Sequence, residues 1–165
     1  MMRARALPKP LRFLPKPLRR FVRVSPRRRL LVVEAVLHLL AARLALIAIP
    51  FPRLAGWLGS FVPPNDPRVL QRRAAASPGA AALAAEIGWA VTRSARWVPF
   101  KAVCLPQAMA AQAMLRRRGV ASIMHFGAGK GTDKPLDAHA WLEAEGVEVT
   151  GYPVAPHLAE LACFV

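Results

Sequence analysis

The stretch VCLPQAMAAQAMLRRRGV, residues 103–120, decides how the rest of the chain is read. It carries Cys104, one of only two cysteines, ahead of a run of strong helix formers. Pro106 suits a first helical turn, where an amide would have no partner in any case. Three arginines and then Gly119 supply cations for the last turn and a residue that ends it. The pattern predicts a helix starting near Cys104. A thiol there meets unpaired amides and the positive end of the helix dipole, both of which favour thiolate. The competing reading is a small core residue, because free cysteine is commonly buried and Val103 and Leu105 flank it. A base within reach of the sulfur would separate the two.

Downstream, VASIMHF at 120–126 has the β-branched and aromatic character of a strand. GAGKGTDKP at 127–135 reads as a loop; it lacks the Walker spacing and the Lys-Ser/Thr ending, so no nucleotide site is assigned to it. LDAHAWLEAEGVEVTGY at 136–152 reads as a hairpin turning at Glu145-Gly146, with His139, Trp141 and Glu143 on one face of its first strand. His139 is therefore the base to weigh against Cys104, with a purely structural histidine as its alternative. Helices followed by an antiparallel sheet give an α+β fold.

Upstream, LPKPLRF at 7–13 nearly repeats as LPKPLRRF at 14–21, and its prolines forbid a continuous helix. Residues 1–29 hold eleven Lys and Arg and no acid, an extended basic arm suited to anionic surfaces. LLVVEAVLHLLAARLALIAIP at 30–50 nearly reaches membrane-spanning length. Glu34, His38 and Arg43 inside it favour a helix buried against the domain or lying at an interface. Asp66-Pro67 and Ser77-Pro78 are helix starts, the second opening an Ala-rich helix to about Arg96 with Leu83, Ile87 and Val91 along one side. Trp89 and Trp97 are expected in the core or a groove.

Of the 24 basic residues, those outside the arm number thirteen against nine acids, so the domain is only mildly basic despite a total charge of +15. Nucleic acid is not expected as a partner. Two cysteines without CxxC spacing give no disulfide framework, and a reduced, cytoplasmic setting follows, with membrane association through residues 1–50 as an open addition. His125, His139, His157 and the cysteines show no compact ligand spacing, so neither a metal nor a cofactor is assigned.

Together, VCLPQAMAAQAMLRRRGV and DAHAWLEAEG resemble the core of the lasso-peptide leader peptidases, transglutaminase-like cysteine proteases in which Cys-Leu-Pro opens the nucleophile helix and His-Ala-Trp carries the base. The likeness runs from about Trp97 to Gly151, with a less specific one over 30–96. It implies a papain- and transglutaminase-like core at 97–165, in which the nucleophile helix packs on a small antiparallel sheet, following the basic arm at 1–29 and the helical region at 30–96. Carried over by position, Cys104 is the nucleophile and His139 the base. The family's third member, an Asp about twelve residues past the histidine, falls on Gly151 here, which leaves Asp137 as a substitute orienter and an inactive homologue as an alternative. A basic binding protein that packs Cys104 and His139 is the other. The resemblance further implies a precursor-peptide leader as substrate, a separate leader-recognition protein because no such domain is expected here, and a macrolactam-forming cyclase as the next partner.

Overall fold

The computed structural model describes residues 25–74, 77–131 and 135–165. The basic arm as far as residue 24, and residues 132–134 of the glycine- and lysine-containing loop, lie outside them. The order is α1 (Pro26–Ala48), α2 (Phe51–Leu58), β1 (Phe61–Val62), α3 (Pro67–Ala74), α4 (Pro78–Ala95), α5 (Cys104–Arg116), β2 (Ile123–Gly129), β3 (Asp137–Ala144), β4 (Val147–Thr150) and β5 (Ala159–Phe164). This is the expected α+β arrangement, a helical first half followed by a sheet core.

Each helix start has a local cause. Ser77 Oγ accepts from the Ala80 amide and Pro78 takes the first helical position. Asp66 Oδ1 accepts from the Arg68 amide at 2.9 Å. α1 begins at Pro26, inside the segment read as arm, because Ser25-Pro26 is the same start signal. α1 is long and apolar enough to cross a membrane. One stripe of it, Leu31, Ala35, Leu39 and Ala42, is nevertheless buried, and the helix packs on α4 and α5. Trp89 is partly buried, with the Arg28 and Arg93 guanidiniums over its ring at 5.2 and 6.0 Å. Trp97 departs from expectation: it is 65 % exposed, left outside as the chain turns from α4 toward Pro99.

The five strands run β1-β5-β2-β3-β4, each neighbouring pair antiparallel. On one face Met124, Leu142, Ala144 and Phe164 join Ile87, Val91, Met114 and Leu115 of α4 and α5 in the main core. On the other, Ile123, Cys163 and Val62 pack beneath Val69 of α3. The β3–β4 turn falls at Glu145 and Gly146 as read, both with positive φ, 53° and 74°, the hand that a two-residue hairpin needs. Sequence patterning did not reveal β5, which enters the sheet between β1 and β2.

Candidate active site

Cys104 is the first residue of α5, with Val103 as the N-cap, and its side chain is only partly buried. Val103 offers no side-chain oxygen to the exposed amides, so nothing of its own competes with the thiol for that end of the helix. The Gln107 side chain donates through Nε2 to the Ala102 carbonyl at 2.7 Å and steadies the approach to the helix. Leu105 and Ala102 pack against the main core. The thiol thus stands at the N-terminal, positive end of a 13-residue helix.

His139 lies near the start of β3, opposite Gly127 of β2. It shares its sheet face with Trp141 and His125: the indole stacks on His139 at 6.0 Å and on His125 at 5.4 Å. The alternate residues Ala140, Leu142 and Ala144 are buried, the last two in the core against α5. His139 Nε2 lies 2.6 Å from the carbonyl oxygen of Gly151. A carbonyl only accepts, so Nε2 carries the proton and, in the neutral ring, Nδ1 is the basic nitrogen.

This contact has a backbone origin. Ala144 pairs with Val147 and Glu143 with Glu148, as the sequence register requires, but Leu142 then pairs with Thr150. The extra residue, Val149, is a bulge that advances the chain by one position and brings Gly151 alongside Trp141. Gly151 has φ +83°, and a Cβ there would meet the Ala140 oxygen at 2.6 Å and Trp141 Cα at 2.8 Å. The chain passes so close to β3 only because the residue is glycine.

Among the described residues no hydrogen bond joins the Cys104 thiol to His139; the imidazole is held by Gly151 instead. Asp137 bonds His157, Oδ2 to Nε2 at 3.1 Å, and makes no hydrogen bond to His139. Beside Gly151 a groove of about 300 Å³ runs between α4 and β4, lined by Gly88, Trp89, Thr92, Val149 and Tyr152 among others. Burial pushes the Tyr152 phenol up to about 12, so it remains protonated across the physiological range.

A second constellation joins His125 and Cys163, which have no ligand spacing along the chain, to Glu160. His125, fully buried, lies 2.6 Å through Nδ1 from Glu160 Oε1, and the Cys163 thiol donates to the same oxygen at 3.0 Å. Burial and the Glu160 charge push that thiol up to about 12, the opposite of an activated sulfur. The only warning in the sequence was Glu160 three residues before Cys163, a spacing that a regular strand would place on opposite faces.

The model of the transglutaminase-like superfamily matches residues 45–162, most of the chain, and takes in both Cys104 and His139. The chain belongs to that superfamily, a cysteine-protease- and transferase-type fold. No curated protein and no solved structure matches it.

Proposed function

We propose that this chain is a cysteine peptidase that removes the leader from a ribosomally made lasso-peptide precursor, with Cys104 as nucleophile and His139 as base. The observation that carries the reading is the Gly151 carbonyl on His139 Nε2, which leaves Nδ1 as the nitrogen able to take a thiol proton. It is supported by the placement of Cys104 at the start of α5 and by the CLP and HAW motifs.

In the reaction, Cys104 approaches His139 and gives its proton to Nδ1. The thiolate attacks the scissile carbonyl, and the imidazolium returns the proton to the departing amine of the core peptide. Leader and enzyme remain joined as a thioester. Water, deprotonated by Nδ1, hydrolyses it, releasing the leader carboxylate and restoring the thiol. The freed amine is the group a macrolactam-forming cyclase would consume. The amide of Cys104 at the start of α5 would donate to the oxyanion. A separate recognition protein would present the leader, with the groove beside Gly151 as the extended segment's seat. Residues 1–50 would contact an anionic membrane surface.

Cys104→Ala and His139→Ala are expected to abolish leader removal, followed by mass spectrometry of a precursor with its recognition protein, without loss of fold by circular dichroism. Cleavage retained in Cys104→Ala would exclude the mechanism. The missing thiol–imidazole bond and the glycine at 151 favour one second reading, an inactive superfamily member. Wild-type protein that cleaves nothing under the same conditions would support it.

A further inference from the structure

His125, Glu160 and Cys163 come from two neighbouring strands, and their Nδ1, carboxylate and sulfur atoms all lie within 4.8 Å of one another. His125 pairs directly with Cys163 across β2 and β5. Glu160 joins them through a bulge: Phe126 pairs with Ala162 and Gly127 with Glu160, so Leu161 is the extra residue. Were the strand regular, with every residue paired in turn, Glu160 would point to the other face of the sheet. Bulges of this kind re-aim side chains beside sites.

A second, independent observation concerns the other ring nitrogen. His125 Nε2 is buried and makes no hydrogen bond, with Glu143 Oε2 3.5 Å away. Buried polar atoms are normally paired. An ion on Nδ1 would fix the ring proton on Nε2, pointing at Glu143, the carboxylate–histidine–metal arrangement that recurs around bound metals. Arg73, 3.2 Å from Glu143, balances that carboxylate.

We propose that His125 Nδ1, a Glu160 oxygen and the Cys163 sulfur bind one zinc-like divalent ion. The proposal does not rest on the peptidase reading. One thiolate, one imidazole and one carboxylate suit a borderline-soft ion and disfavour calcium or magnesium, which take oxygen ligands. Ligand bonds of about 2.0–2.3 Å require the His125–Glu160 contact to widen. Glu160, with 29 % of its side chain exposed, is the member free to move and marks the side from which an ion enters. Binding releases the Cys163 thiol proton to solvent and moves the neutral imidazole's proton from Nδ1 to Nε2, so affinity rises with pH.

The full chain, dialysed against Zn²⁺ or Co²⁺ and then against metal-free buffer, tests this. One metal per chain is expected, with a thiolate-to-cobalt absorption band. Cys163→Ser should remove the band and Glu160→Gln should weaken affinity at least tenfold, while Cys104→Ser changes neither. Should Cys163→Ser fail to fold, Glu160→Gln at the partly exposed rim decides alone. Folded wild-type protein that retains no metal, or a band lost with Cys104→Ser and kept with Cys163→Ser, would overturn the assignment.

Discussion

Gly151 occupies the position where the resembling peptidases carry an aspartate, and its backbone oxygen takes up a contact with the histidine. A carbonyl fixes the tautomer as a carboxylate would, but brings no full negative charge to stabilise an imidazolium. In the proposed reaction, the imidazolium formed at His139 would therefore have less stabilisation than an aspartate would provide. An aspartate cannot simply be put back, because any Cβ at 151 runs into Ala140 and Trp141. Gly151→Ala is accordingly expected to cost more than about 1 kcal/mol, the penalty for alanine at positive φ with a close contact added. Denaturant unfolding measures it. Leader removal by the folded fraction should fall at least tenfold as the carbonyl leaves Nε2, and unchanged cleavage would mean that the contact does not orient the base.

Elements are joined by a few specific ties, of which the clearest is Glu34 on α1 with Arg118 just beyond α5. The guanidinium meets both carboxylate oxygens, at 2.9 and 2.6 Å, and also donates to the Met114 carbonyl. The hydrogen bonds from Arg118 hold the Glu34 carboxyl below its usual value of 4.5. Its stabilisation is thus fully present above that value and is lost as pH falls through the lower folded one. Glu34→Gln should cost about 0.5–1 kcal/mol near neutrality, limited by solvent screening, and nothing in acid where both forms are neutral; unfolding curves at the two pH values check the difference. This pair was not foreseen, since nothing local relates residues 34 and 118. What the sequence did disclose is local: the Ser77-Pro78 start, the α5 limits and the Glu145-Gly146 turn each depend on a few adjacent residues. The bulge at Val149 and the strand at 159–164 were hidden for the converse reason. A bulge breaks the period-two pattern by which a strand is recognised, and β5 gains its place only by pairing with residues far away in the chain. His125 and Cys163 met through that pairing, so ligand spacing along the chain carried no trace of it.

For the molecule as a whole, the unusual feature is that α1 turns apolar residues outward. Leu30, Val33, Leu37, Leu40, Leu44 and Ile47 are all exposed, at intervals of three and four, while Glu34 is turned toward Arg118. Trp57 of α2 is 60 % exposed as well. Such a stripe implies a partner surface, and the charge distribution distinguishes between partners. A second copy would bring another +15 against the first. An anionic bilayer would instead attract the eleven bases of residues 1–29 while the stripe sank into the headgroup boundary. The full chain should co-sediment with vesicles containing phosphatidylglycerol far better than with pure phosphatidylcholine. Deleting residues 1–24 should reduce that binding and its salt sensitivity together, because the removed bases supply the screened attraction. Leu37→Glu combined with Leu44→Glu should abolish the salt-resistant remainder without unfolding the protein, since both side chains are already in solvent. Equal binding to neutral vesicles would remove the role of charge, and a dimer broken by the same two substitutions would transfer the stripe to contact between copies.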